Sequence, residues 1–194
     1  MTEPLAAAIS AADDSTQVEI VRRAARGDRG AFEELVVSGA ERAYRVARAI
    51  LGNDSDAHDA TQEAFVSAWR ELPRLRNPRL FDAWLRRILV NACRETIRSR
   101  GRVREISLDE QPIDRAATGP GVADHVGDSE LLSRAFDRLD AGKRSILVLH
   151  YLEHAPVATI ATALGIPTGT AKWRLSDARD ALARALAAEG EARR

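Results

Sequence analysis

Apolar residues recur at steps of three and four through most of this chain, and no useful length of it alternates with period two. Val18, Val21 and Ala25 make a short stripe that ends at Gly27. Phe32, Leu35, Val36, Ala40, Ala43, Tyr44, Ala47 and Ile50-Leu51 carry a second, longer one to a stop at Gly52-Asn53. Such spacing keeps one face of a 3.6-residue helix apolar. Asp54 or Ser55 can cap a third helix, in which Ala57, Ala60, Ala64, Phe65, Ala68, Trp69 and Leu72 share a face until Pro73. Beyond Pro78, the residues Phe81, Trp84, Leu85, Ile88, Leu89 and Ala92 define a fourth helix.

The pattern then breaks. Between Glu105 and Glu130, Glu105, Asp109, Glu110, Asp114, Asp124, Asp128 and Glu130 face a single basic residue, Arg115, among Pro112, Gly119, Pro120, Gly121 and Gly127. This reads as an extended acidic linker, and on composition alone as a tether. Helical spacing resumes with Leu131, Leu132, Ala135, Phe136 and Leu139, and three more helices follow: about 141–153, 157–164 and 168–188. The fold class is all-α. Two helical domains, 17–104 and 129–190, are joined by the linker 105–128, and residues 1–16, small and polar, form a disordered extension.

Composition narrows the chemistry. The 194 residues hold 29 basic and 29 acidic side chains, so net charge names no polyanionic partner and local distribution must carry that argument. Only Lys143 and Lys172 are lysines; the arginine excess fits a GC-rich genome as well as phosphate binding. The single cysteine, Cys93, excludes an internal disulfide or a multi-cysteine zinc site and suits a small buried position. His150 and His154 are four apart, but two histidines fall short of a zinc ligand set. No apolar run approaches the ~20 residues of a membrane span. The N-terminus does not resemble a secretory signal, so a cytoplasmic protein is expected.

The segment from Val157 to Leu175 carries a more specific signal. Ala161 is small where two crossing helices would touch, and Gly165 lies four residues on, where a sharp turn needs positive φ. Pro167 suits a loop before a helix start, and Thr168 can cap that start. The next helix turns Ala171, Leu175, Ala178 and Leu182 inward and Thr170, Lys172, Trp173, Arg174, Ser176 and Arg179 outward. Polar and basic groups at the start of a second helix suit a helix-turn-helix reading the major groove. Asp177 and Asp180 oppose this, since phosphates repel them. The plainer reading is a helical hairpin with a basic outer face.

A second basic element lies upstream. From Phe81 to Glu105, Arg86, Arg87, Arg94, Arg98, Arg100, Arg102 and Arg104 outnumber Asp82, Glu95 and Glu105, beside Phe81, Trp84 and Asn91. Cations interleaved with rings suit single-stranded DNA, and Asn91 can bond a base edge. Trp84 alone is better read as core packing.

Four stretches, in this order, resemble the extracytoplasmic-function sigma factors: Gly27-Asp-Arg-Gly-Ala-Phe-Glu-Glu-Leu, Asp56-Ala-His-Asp-Ala-Thr-Gln-Glu-Ala-Phe-Val-Ser-Ala-Trp, Phe81-Asp-Ala-Trp-Leu-Arg-Arg-Ile-Leu-Val-Asn-Ala, and Ile160 to Arg179. The resemblance covers roughly 17–104 and 130–187. It implies a non-enzymatic subunit that gives RNA polymerase core its promoter specificity, needs no cofactor or metal, and has an anti-sigma factor as a further partner. The third helix looks like the polymerase-docking surface, with Asp59, Gln62, Glu63, Phe65 and Trp69; Phe65 and Trp69 lie on the apolar stripe and should be mainly core. The fourth looks like the reader of the −10 strand, through Phe81, Trp84, Arg87, Asn91, Arg94 and Arg98. The helix-turn-helix looks like the −35 reader, through Thr170, Lys172, Trp173, Arg174, Ser176 and Arg179, and the linker would thread toward the polymerase channels. Trp173 and Asp177 depart from the serine or threonine and the basic residue common in relatives, and Ala171 from a valine, which leaves the −35 preference open. The rival class is a free-standing helix-turn-helix regulator, which has no need of the Gln62-Glu63 surface. An all-helical enzyme finds no phosphate loop or nucleophile–base pair to support it.

Overall fold

The computed structural model describes residues 15–106 and 126–192, and every regular element among them is helical. The first half is built from α1 (residues 15–25), α2 (Arg29–Leu51), α3 (Asp54–Glu71) and α4 (Phe81–Ile106). The second comprises α5 (Val126–Asp137), α6 (Ala141–Leu147), α7 (Val157–Leu164) and α8 (Thr168–Ala192). Most of the expected N-terminal extension and acidic linker, residues 1–14 and 107–125, lies outside the described residues. Ser15 and Thr16, assigned to that extension by composition, belong instead to the first turn of α1, and of the expected linker Glu105 and Ile106 belong to the last turn of α4 and Val126, Gly127 and Asp128 to the first turn of α5.

Local chemistry sets the helix ends. Asp28 is extended, and its Oδ1 accepts the Ala31 amide at 3.0 Å, capping α2. Gly52 closes α2 at φ 80°, in the left-handed region that suits glycine. The cap of α3 is Asn53, one residue before the expected Asp54 or Ser55. Its extended backbone (φ −149°, ψ 157°) aims Oδ1 at the Asp56 amide, 2.9 Å away. Asp54 lies in the first turn instead, where its charge favours the helix dipole, and accepts from Tyr44 and Arg48 at 2.7 Å each. Those two bonds hold the Asp54 carboxyl below its ordinary value.

The segment expected as one helix over 141–153 changes pitch. Val148–Leu152 widens to a π turn, and the Glu153 amide reaches back five residues to the Val148 carbonyl at 3.1 Å. His154 then takes φ 48°, and the Ala155 amide closes on the Leu149 carbonyl at 3.0 Å. This turn swings Glu153 away from its own helix axis and toward the first half of the chain.

The two halves do not sit apart. Val46, Ile50, Ile88 and Leu89 belong to the same buried cluster as Ile146, Leu149, Ile160 and Leu164. Helix α4 is the shared wall: it packs against α2 and α3 on one side and α6 and α7 on the other. Val90 and Cys93, the former outside the single stripe expected for α4, are therefore fully covered as well. Each such Leu, Ile or Val removes apolar area worth about 1.5–3 kcal/mol from water, so the shared core is a substantial contact. A smaller cluster of Val21, Ala24, Ala31, Leu35, Leu72 and Phe81 fastens α1 to the first half.

Candidate nucleic-acid interface

On α4, Arg87, Asn91, Arg94 and Arg98 follow one another at steps of four, three and four, which places them on one face. Arg87, Asn91 and Arg98 are exposed. Arg94 is half-buried, and its Nη1 donates to the Leu164 carbonyl at the end of α7, 3.2 Å away. Burial, and after it the nearby Arg174 and Arg98 cations, lower the Arg94 pKa from its usual value. Trp84 is half-buried and packs against both clusters, as expected of a core ring. Phe81, expected among the strand-reading residues, is 4% exposed and belongs to the core. As the first residue of α4 it faces the α1 cluster, with its ring 5.9 Å from that of Trp84, and offers no surface to a base.

The helix-turn-helix is α7, a turn at Gly165 and α8. Gly165 has φ 65°, and the Ile166 amide closes back on the Ala161 carbonyl at 3.0 Å, so the expected positive-φ turn is present. Ala161, Ala171, Leu175 and Ala178 are buried between the helices, and Leu182 partly so. Thr168 is the first helical residue and not the cap; the opening bond runs from the Ala171 amide to the Pro167 carbonyl at 3.0 Å.

Lys172, Trp173, Arg174, Ser176 and Arg179 are exposed, and Thr170 is half-buried. Trp173, at 67% exposure, is an apolar surface with no packing role of its own in the core. Arg179 is tethered: Nε donates to the Tyr151 hydroxyl at 2.8 Å, Nη2 lies 3.1 Å from His150 Nε2, and the guanidinium sits over the Tyr151 ring. Asp177 pairs with Lys143 at 3.3 Å, and Lys143 also reaches Asp140 at 3.0 Å. The carboxylate that argued against DNA binding is thus partly neutralised from α6. Lys143, Tyr151 and His150 were not among the DNA-contact candidates, His150 having been weighed only as half of a metal pair, because contacts between helices leave no mark in local spacing.

The face of α3 opposite its core stripe presents Asp59, Gln62 and Glu63, all exposed, beside Val66. Phe65 is 7% exposed, and Trp69 is half-buried with its ring 4.9 Å from Phe32. Both are packing residues, as the apolar stripe indicated. The three surfaces can bind and orient charged partners. Among the described residues, no three His, Cys, Asp or Glu side chains converge as a metal site would need. Also among the described residues, no helix is long and apolar enough to cross a membrane.

Comparison with known proteins matches two family models: sigma-70 region 2 over residues 35–103, and sigma-70 region 4 over residues 129–182. The ECF RNA polymerase sigma factor SigE of Mycolicibacterium smegmatis is 35% identical over 164 residues; the match covers 81% of this chain and 63% of SigE, just under two thirds of that protein. SigM of Mycobacterium tuberculosis, also an ECF RNA polymerase sigma factor, is 31% identical over 176 residues, covering 89% of this chain and 86% of SigM. The solved structure of CnrH in complex with the cytosolic domain of CnrY is similar at TM-score 0.64 and 27% identity, over 89% of this chain and 97% of that one.

Proposed function

The chain belongs to the extracytoplasmic-function sigma-70 factors of RNA polymerase, and on that premise we propose how its surfaces divide the work of promoter recognition. The first half, through α4, binds polymerase core and the −10 element; the chain between α4 and α5 links; and the second half, α5 to α8, binds the −35 element. Asp59, Gln62 and Glu63 on α3 dock on the core enzyme. Arg87, Asn91, Arg94 and Arg98 on α4 take the −10 strand: the cations neutralise phosphates, and Asn91 bonds a base edge exposed by unstacking. Lys172, Trp173, Arg174 and Ser176 on α8 enter the −35 major groove, with Arg179 beside them once released from Tyr151.

No covalent step is involved. Capturing unstacked bases favours the open promoter by differential affinity, and the phosphate contacts make binding fall as salt rises. The protein acts in the cytoplasm with its polymerase. CnrH is seen bound to a second protein, and an anti-sigma factor that holds this chain inactive belongs to the same reading.

The observation that carries the proposal is the α4 stripe, in which an exposed Asn91 is flanked along one face by Arg87, Arg94 and Arg98. A regulator that binds duplex DNA unaided would need neither this stripe nor the α3 face. Replacing Asn91 with alanine tests it: promoter opening should fall while affinity for core polymerase stays unchanged. Equal loss of both would contradict the assignment.

A further inference from the structure

Glu153 buries a charge from the second half against the first. Its side chain is 7% exposed, and each carboxylate oxygen takes one arginine from across the linker. Oε2 accepts from Arg86 Nε on α4 at 3.1 Å, and Oε1 from Arg42 Nε on α2 at 2.9 Å. The Arg86 side chain is itself only 13% exposed. The three groups line a groove of about 580 Å³ between α1, α2 and α4, so the cluster is reached by solvent from one side. A buried carboxylate needs both its charge and its lone pairs matched, and removing it leaves Arg86 buried without a counter-charge.

The same closure works against the proposed function. By their positions the −10 and −35 elements lie about 25 base pairs apart, or ~85 Å at 3.4 Å per step of B-DNA. Yet Arg174 of the −35 reader lies close enough to Arg94 of the −10 reader here to add, after burial, to the lowering of the Arg94 pKa. Arg94 is also occupied by the Leu164 carbonyl. Both readers cannot engage a promoter until the halves part. The shared apolar core and the Glu153 cluster hold them together, and the repulsion among Arg94, Arg98 and Arg174 pushes them apart.

We propose that Glu153 is an interdomain latch: by clamping Arg86 and Arg42 it keeps the free chain closed and Arg94 off nucleic acid, and its release accompanies assembly with polymerase. This regulation rests on the reading of α4 and α8 as promoter readers, but the latch itself is tested without it.

Nitroxide labels on full-length Ser38→Cys/Thr162→Cys protein report the distance between α2 and α7, with buried Cys93 left in place. The wild-type chain should give one short distance, and Glu153→Gln, which keeps the shape and removes the charge, should add a longer population. The swapped pair Arg86→Glu/Glu153→Arg, made with Arg42→Gln so that the new arginine meets no like charge, rebuilds one ion pair across the halves and should recover the short distance. In parallel, binding of labelled single-stranded DNA of random sequence is measured without polymerase. Apparent affinity scales with the open fraction, so relaxing a closed population of about 90% to half should raise it ~5-fold. An unchanged distance in Glu153→Gln, or a swapped pair no more closed than Glu153→Gln, overturns the latch. A longer distance without tighter DNA binding leaves the latch standing and overturns the assignment of Arg94 to the strand.

Discussion

The guanidinium of Arg94 caps the last turn of α7, with its Nη1 3.2 Å from the Leu164 carbonyl. A helix end from the second half is thereby satisfied by a cation from the first, an arrangement favoured by the negative end of the helix dipole. The same cation is held against Arg174 and Arg98 and is partly stripped of water.

These opposed effects separate stability from function at Arg94. Replacing it with methionine keeps its apolar stem and removes both the cap and the repulsion. Thermal unfolding of the free chain should show a melting temperature no lower than wild type. Open-complex formation with polymerase should fall about tenfold, the worth of one charge-assisted contact. A large drop in melting temperature would make Arg94 a structural residue and no strand reader.

Lys143 should matter to −35 binding without touching DNA. It neutralises Asp177 on α8, one turn beyond Trp173. Lys143→Ala frees the carboxylate to repel phosphate and should weaken −35 duplex binding by up to about fivefold, within the range of an exposed ion pair. Lys143→Ala/Asp177→Ala should recover the loss in a gel-shift titration. If the double variant is as weak as the single one, Lys143 acts on DNA directly or through the fold.

Acid stability should depend on Asp140, the cap of α6. Burial pushes its pKa upward, but the Lys143 amide and ammonium outweigh that and hold it below the ordinary 3.8. A carboxyl whose folded pKa is depressed stabilises fully above its unfolded value, and that contribution is lost as pH falls through the folded one. Denaturant melts of Asp140→Asn should therefore lie under wild type at neutral pH and draw toward it as pH falls below about 4, meeting it only under the folded pKa. Parallel curves throughout would remove Asp140 from the acid response.

Cys93 should be silent toward thiol reagents in the folded chain. It is fully covered by its neighbours, and burial pushes its thiol up to about 12. A disulfide reagent at pH 8 should register no thiol until denaturant is added. Prompt labelling of the native chain would mean that the α4 core opens readily.

The helices were legible because each buries one face, and a buried face writes its period into the sequence. The α7–turn–α8 unit was readable at Ala161, Gly165 and Ala171, which close helix contact and positive φ dictate, but not at the start of α8, where Thr168 is helical and caps nothing. Asn53 was missed as a cap because Asn, Asp and Ser stand in a row there and only the backbone angle selects among them. The π turn after α6 left no trace, because Ile146, Leu147, Val148 and Leu149 are all buried and an apolar run has no phase to lose. At Phe81 the apolar stripe and the family resemblance pointed in different directions, and packing prevailed. The Glu153 cluster joins residues 111 and 67 positions apart, a relation that no local pattern encodes.

The central claim is that this chain, once opened on core polymerase, directs promoter-specific initiation. Run-off transcription with purified core polymerase, the full chain and a pool of fragments from the source genome tests it most directly. The expected result is discrete transcripts that require the protein, that weaken with Asn91→Ala and Arg174→Ala, and that share −10 and −35 sequences. Transcripts indifferent to the protein, together with no stable complex with core polymerase, would contradict it and favour a free-standing DNA-binding regulator.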